Sequence, residues 1–91
     1  MSAKIKIPEY LKGKTDGQGI IDAAGNTLRE CLREFVHCYP ALKGEIIDGR
    51  GMLLVKWVIF INNKLVVGSD ELSVPVTDGD VILLVPMVAG G

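Results

Sequence analysis

Two cysteines and the single histidine are the side chains with the most direct chemical potential in this sequence. Cys31, His37 and Cys38 lie within eight residues of one another in the sequence. Thiolates and an imidazole together can hold a metal ion or form a nucleophilic pair. On a helix, however, the two cysteines fall on the apolar side and the histidine on the opposite side. The cysteines would also stand about 10.5 Å apart along the axis, too far for a disulfide. The spacing therefore predicts two buried thiols and a surface histidine, with no metal site and no catalytic pair.

Acidic side chains cluster between positions 70 and 80, namely Asp70, Glu71, Asp78 and Asp80. Their spacing does not match the calcium-binding loop of an EF-hand. The sequence also lacks a Walker-type phosphate loop, an HExxH motif and a GxSxG motif. We therefore expect turns and a solvated acidic edge, which would steer a basic partner, and no metal or cofactor bound by this chain.

The chain ends in a pair of glycines that follows an apolar run and Pro86. Pro86 restricts the direction in which the last residues leave, and five residues beyond it span at most about 17 Å. Because glycine has no Cβ, Gly90 and Gly91 could pass through a channel that a larger side chain would block. A glycine pair is also compatible with a plain flexible end, and the pattern alone leaves both interpretations open.

The composition is that of one small folded domain, with 91 residues, 48% hydrophobic and 23% charged. Such a composition excludes a disordered chain. Ten basic against eleven acidic residues give a net charge of −1, which offers no basic excess for nucleic acid. No apolar run approaches the roughly 18 residues of a membrane span, and the N-terminus does not resemble a signal peptide. With two cysteines and no CxxC pair, we expect a cytoplasmic protein with free thiols and no membrane or nucleic-acid partner.

The clearest element is an amphipathic helix. Thr27 and Glu30 have the spacing of a capping box at its start, and Tyr39-Pro40 ends it. Between them the apolar side chains share one arc of about 160°, and the charged ones fill the opposite arc. Strands are predicted around it at residues 3–11, 20–24, 65–67 and 81–85, and the apolar run over residues 53–61 is predicted to end in a long strand. Pro8 marks a bulge or an early end of pairing in the first strand.

These elements predict an α+β domain, in which one main helix packs on a small mixed sheet. Asn62-Asn63 is a hairpin turn, since Asn tolerates positive φ. Residues 43–51 form an exposed loop with a turn at Asp48-Gly49. If the first and last strands pair in parallel, the helix lies in the crossover between them.

Two of the strands, over residues 57–61 and 81–85, are apolar on both sides. A single helix covers only one face of a sheet, so a half-exposed strand should alternate apolar and polar residues. Either loops or a second copy cover the other face, or this face is a patch for docking a partner. We adopt the second interpretation, with the odd-numbered residues of the last strand facing the partner. The expected docking residues are Leu83, Val85, Pro86 and Met87.

The sequence resembles the ThiS/MoaD family of ubiquitin-like sulfur carrier proteins over nearly its whole length. The similarity rests on residues 26–30, 39–42, 60–63, 75–81 and 85–91. Its most specific part is the pairing of the turn sequence PVTDGDV with the terminal VPMVAGG. Asn63 replaces a glycine often seen in the hairpin and Met87 replaces a second proline, which blurs the subfamily and leaves the reactive end unchanged.

The resemblance implies a β-grasp domain over residues 1–86 and a flexible C-terminal tail over residues 87–91. An E1-like adenylating enzyme would bind the sheet face and thread Val88, Ala89 and Gly90 into its ATP site. There the Gly91 carboxylate would be adenylated with Mg-ATP and then converted to a thiocarboxylate by a sulfur donor. A second enzyme would accept the sulfur, and the leading candidate for this acceptor is a molybdopterin synthase large subunit. The chain would thus be a carrier that uses partner enzymes, and ATP and Mg would belong to the adenylating partner.

The same tail is compatible with other functions. A carrier could serve thiamin thiazole or cysteine biosynthesis instead of the molybdenum cofactor. A ubiquitin-like modifier would form an isopeptide bond between Gly91 and a target lysine. A plain interaction domain would carry Gly90-Gly91 without using it. The residues alone also leave open the oligomeric state and whether Gly91 is the encoded end or is exposed by processing.

Overall fold

A computed structural model describes residues 2–66 and 71–87, which form a five-stranded sheet crossed by one α-helix. The strands are β1 (Ser2–Lys6), β2 (Ile20–Ala24), β3 (Trp57–Ile61), β4 (Lys64–Leu65) and β5 (Val81–Pro86). The helix is α1 (Leu28–Cys38). Short 3-10 helices lie at Glu9–Lys14, Pro40–Leu42 and Glu71–Ser73.

The sheet has the order β2-β1-β5-β3-β4 and is mixed. β1 and β5 pair in parallel, whereas the other neighbouring strands are antiparallel. The chain therefore crosses from one central strand to the other, and α1 lies in that crossover, as expected. This topology confirms the α+β class and the β-grasp arrangement that the resemblance implies.

Helix α1 begins at the predicted cap. The backbone N–H of Glu30 donates to the Thr27 hydroxyl (3.2 Å), and the Glu30 carboxylate accepts from the N–H of Asn26 (2.8 Å). The first bond satisfies an N–H that a helix start leaves unpaired, and the second ties the Glu30 side chain to the residue before the cap. The helix buries one stripe, formed by Leu28, Cys31, Leu32 and Phe35. Within residues 2–66 and 71–87, none of the helices has the length and apolarity that a membrane span requires.

The core lies between α1 and one face of the sheet. Each central strand supplies alternate residues to it, because successive side chains point to opposite faces. These inward residues are Ala3 and Ile5 of β1, Trp57 and Ile59 of β3, and Ile82 and Leu84 of β5. The opposite face of the sheet is therefore formed by the intervening residues.

Two local predictions were wrong. The first strand ends at Lys6 and not at residue 11, because Pro8 has no N–H for the ladder and instead precedes the 3-10 helix at Glu9–Lys14. Residues 43–51 are not simply an exposed loop, because Ile46 is fully buried and Ile47 pairs with Leu53. This segment closes one end of the core.

Candidate functional site

β5 presents two different sides. Ile82 and Leu84 are buried beneath α1, whereas Val81, Leu83 and Val85 are partly exposed on the other face of the sheet. The odd-numbered residues thus lie on the side that the helix does not cover. We call this side, formed by outward residues of the five strands, the open face.

A row of side chains crosses the open face from edge to edge. The strand register places Ile20 opposite Lys6, Lys6 beside Leu83, Leu83 opposite Phe60, and Phe60 opposite Leu65. Paired residues lie on the same side of a sheet, so these five side chains form one continuous line. Val58 and Val85 form a second apolar pair, one step nearer to the end of β5.

Charged groups lie on the β1–β2 side of the open face. Lys4 and Lys6 are exposed on β1, and Lys4 forms an ion pair with Asp22 of β2. A shallow depression of about 320 Å³ lies where the row meets the hairpin, lined by Lys6, Asn62, Asn63, Val81 and Leu83. The open face therefore combines apolar side chains on β5 and β3 with charged groups on β1 and β2, and an apolar centre with a polar rim is typical of protein-binding surfaces.

The chain leaves the sheet beside β3. Pro86 lies opposite Trp57, and the N–H of Met87 donates to the carbonyl of Lys56, which continues the β3–β5 pairing by one step. Met87 and Val55 are both exposed there. We call Val55, Lys56 and Met87 the tail base.

The tail base rests on a fixed support. The indole N–H of Trp57 donates to the carbonyl of Glu45 (2.7 Å), and the Lys56 ammonium lies 5.5 Å from the centre of the Trp57 ring. The Glu45 carboxylate lies 3.7 Å from both the Lys56 and the Lys14 ammonium groups. These contacts hold the segment before β3 in place next to the point where Met87 emerges.

The turn at Asp78-Gly79 secures the start of β5. Gly79 has a φ of +87°, which suits glycine in the second half of a tight turn. The turn also holds the N-terminal strand, since the N–H of Ser2 donates to the Asp78 carboxylate (2.9 Å) and the N–H of Gly79 donates to the carbonyl of Ser2 (3.0 Å). The Asp80 carboxylate accepts a hydrogen bond from the side-chain amide of Asn62, in the turn between β3 and β4. Of the acidic residues expected to form an edge, Asp78 and Asp80 thus form a structural junction, whereas Asp70 and the side chain of Glu71 lie outside the described part of the chain.

The cysteines and the histidine do not form a site. His37 is exposed and Cys31 is buried, as predicted, but the prediction of a buried Cys38 was wrong. Cys38 lies at the edge of the apolar arc in the last turn of α1, where its Sγ contacts the Glu34 carboxylate at 3.5 Å. Both cysteines are free thiols, and within the described part of the chain no cluster of metal-ligating side chains occurs.

The described structure thus contains only part of the predicted site. Leu83 and Val85 lie on the open face and Met87 follows at its end, whereas Pro86 is opposite the buried Trp57 and lies on the core side of the sheet. Val88, Ala89, Gly90 and Gly91 lie outside the described residues. Sequence reasoning missed Lys6, Phe60 and Leu65 as members of the same surface. Only the register of β1, β3 and β4 against β5 reveals them, and strand register is not readable from residue types alone.

Comparison with known proteins identifies what this arrangement is similar to. The sequence matches the model of the ThiS family over residues 5–91. It is 30% identical over 93 residues to the sulfur carrier protein CysO of Mycobacterium tuberculosis, with all of both chains covered. The match therefore includes both the sheet and the terminal glycines.

Solved structures agree with this similarity. A crystal structure of the Amycolatopsis orientalis BexX/CysO complex matches with a TM-score of 0.85 and 27% identity, covering 98% of this chain and 99% of that chain. The complex of subunits 1 and 2 of the molybdopterin-converting factor from Helicobacter pylori matches with a TM-score of 0.63 and 27% identity, covering all of both chains. Relatives of this fold thus occur in complexes with partner proteins.

Proposed function

The chain belongs to the ThiS family and is a sulfur carrier protein of the ThiS, MoaD and CysO type, and we propose that the Gly91 carboxylate is the group that carries the sulfur. The observation that carries this proposal is that the family match runs through residue 91 and includes the Gly90-Gly91 pair. Met87, the last described residue, follows directly on β5 at one end of the open face.

The chemistry requires activation because a carboxylate is a poor acyl donor. An oxygen of the Gly91 carboxylate attacks the α-phosphorus of Mg-ATP in an E1-like adenylating enzyme, and pyrophosphate leaves. Hydrosulfide, or a sulfur donor equivalent to it, then attacks the carbonyl carbon. The bond to AMP breaks, AMP leaves with its electron pair, and a proton is released from the sulfur. The product is a Gly91 thiocarboxylate, whose sulfur is a softer nucleophile than a carboxylate oxygen.

The carrier supplies position and not catalytic groups. Its part is to present the acyl group at a fixed place relative to a docking surface, which converts an encounter in solution into an oriented reaction. The open face provides an apolar surface for this, and β5 connects that face directly to the reacting end. ATP and Mg belong to the adenylating partner in this scheme.

The acceptor of the sulfur is a second partner enzyme. The expectation that it belongs to molybdopterin synthesis is not confirmed, since relatives at 30% identity are named CysO. We assign the chain to the CysO type, which corresponds to the cysteine-biosynthesis variant. The similarity to the H. pylori molybdopterin-converting factor complex makes a molybdopterin synthase large subunit the second candidate. The free thiols of Cys31 and Cys38 are consistent with a reducing cytoplasm.

Intact-mass spectrometry tests the proposal. The chain is incubated with its adenylating enzyme, Mg-ATP and sulfide, and the expected product is heavier by the exchange of one oxygen for sulfur. A chain lacking Gly91 is the control and should gain no mass while keeping its melting temperature. An unchanged mass of the full-length chain, together with normal pyrophosphate release, would contradict sulfur transfer. Lysine-linked Gly-Gly remnants in cells would instead indicate a protein modifier.

Proteins that copurify with the chain distinguish the acceptors. A partner that forms cysteine from the thiocarboxylate supports the CysO assignment. A partner that resembles the larger molybdopterin synthase subunit would replace it with the second candidate.

A further inference from the structure

Val55 is the most exposed large hydrophobic side chain in the described residues. It is 92% exposed and lies in the turn just before β3. Turn positions favour Gly, Asn, Asp and Ser for backbone reasons, and a β-branched apolar residue gains nothing there from the turn itself. Its side chain also adds almost nothing to the core, so neither local structure nor packing explains a valine at this position.

Val55 is next to the point where the reacting end leaves the fold. Its neighbour Lys56 accepts the backbone hydrogen bond from Met87, which is itself 58% exposed. Only four residues follow Met87, and four residues span at most about 14 Å when fully extended. An enzyme that holds ATP against the Gly91 carboxylate must therefore bring its own surface close to Met87 and to whatever borders it.

The tail base presents mainly apolar surface to such an enzyme. The Lys56 ammonium is near the Glu45 carboxylate and the face of Trp57, and Val55 and Met87 are the exposed apolar side chains of the tail base. Strand alternation places Met87 on the same side as Val85, so Met87 continues the Val58–Val85 pair of the open face. Val55 directly precedes Lys56, whose carbonyl accepts the hydrogen bond from Met87. Apolar side chains at the centre of a contact supply more affinity than charged ones at its rim.

We propose that the tail base is a second docking contact, in which Val55 and Met87 pack against an apolar collar around the entrance to the adenylating enzyme's nucleotide site. This inference rests on the proposed function, because it assumes that Gly91 is adenylated. The collar would fix the distance between Met87 and the nucleotide site, which the tail has to span. The open face would supply the larger part of the contact.

The test is the rate of pyrophosphate release by the adenylating enzyme as a function of carrier concentration. Val55→Asp should raise KM for the carrier about tenfold with kcat unchanged, because only the docking contact is lost. Val55→Ala should have a smaller effect in the same direction, and Val55→Lys should resemble Val55→Asp. Ser73→Asp is the control, since it adds the same charge at an exposed position in the 3-10 helix that packs against α1. All four variants should keep the wild-type melting temperature.

The outcomes separate the two proposals. An unchanged KM for Val55→Asp, with a wild-type chain that is adenylated normally, would overturn the tail-base contact alone. An effect of Val55→Asp without an effect of Val55→Lys would also overturn it, because charge repulsion would then replace the apolar contact as the cause. Absence of pyrophosphate release with the wild-type chain would overturn the proposed function itself.

Discussion

The side chain of Asn62 joins the β3–β4 hairpin to Asp80. Its Nδ2 donates to the Asp80 carboxylate (2.9 Å), and its Oδ1 accepts from the N–H of Val81 (3.0 Å). Asn62 does this with a φ of +51°, and Asn63 follows with a φ of +70°. One residue therefore makes the turn between two strands and also fixes the start of the strand that leads to Gly91.

Replacing Asn62 with glycine should lower the free energy of unfolding by about 1–2 kcal/mol, because two hydrogen bonds to the start of β5 are lost. Glycine keeps the positive φ without strain, so the change isolates the side chain. Asn63→Gly is the matched control, since it has the same backbone requirement and the side chain makes neither bond. Urea unfolding measures both, and equal stability of the two variants would contradict the role of Asn62.

The pH dependence of stability should report on Asp80. The Asp80 carboxylate accepts hydrogen bonds from the backbone N–H of Thr77 and from the side-chain amide of Asn62. These bonds, the one from Thr77 most, hold the pKa of Asp80 below its usual range. A lowered pKa in the folded state means that the stabilisation is present above the unfolded pKa of about 4 and is lost as pH falls through the folded pKa.

Asp80→Asn should therefore lower the melting temperature most at neutral pH. The difference from wild type should shrink as the pH falls from about 4 through the folded pKa, because the wild-type carboxyl then becomes neutral, like the amide of the variant. Melting curves of both proteins between neutral and acidic pH measure this difference. A difference in melting temperature that stays constant from neutral to acidic pH would show that the charge of Asp80 does not cause the difference.

Gly90→Val should leave the fold intact and abolish adenylation of the chain. Position 90 follows β5 and lies outside the described residues, and a Cβ with two methyl groups would not pass through a narrow channel. Pyrophosphate release with the adenylating enzyme is the measurement, and Gly90→Ala should retain an intermediate rate. Normal release with the valine variant would refute the need for a narrow channel.

Leu83→Asp should weaken binding to the adenylating enzyme far more than it weakens the fold. Leu83 lies on the open face beside Lys6, which can pair with the new carboxylate. Ile82→Asp should instead unfold the domain, because Ile82 is fully buried and the carboxylate would have no partner. Binding affinity and melting temperature are measured for both. Unchanged binding of the Leu83 variant would show that the open face is not the docking surface.

Thiol labelling should distinguish the two cysteines. Cys38 is exposed and should react in the native protein, whereas Cys31 should react only after unfolding. The hydrogen bond to Glu34 raises the pKa of the Cys38 thiol, which lowers the thiolate fraction at neutral pH. Glu34→Gln should therefore speed the labelling of Cys38. Stopped-flow labelling measures the rates, and equal rates in both proteins would remove Glu34 as the cause.

Local signals in the sequence determined much of the fold. The capping residues Thr27 and Glu30 predicted where α1 begins, and Asn62-Asn63 predicted the hairpin, because each signal involves backbone groups within a few residues. The two-sided apolar pattern of β3 and β5 likewise predicted a sheet with an uncovered face, since one helix buries only one side. The family resemblance is the basis of the proposal that the chemistry takes place at Gly91.

The tertiary structure decided everything that depends on contacts between distant segments. Cys38 is exposed because burial at the edge of a helical stripe depends on what packs there, and helical periodicity gives only the angle. Ile46 is buried because the segment before β3 folds back over the core, which its polar neighbours did not indicate. Lys6, Leu83 and Phe60 form one row, and Met87 is hydrogen-bonded to Lys56, only through the pairing of strands far apart in sequence. Residue types set which side chains can bury or dock, and strand register sets which of them meet.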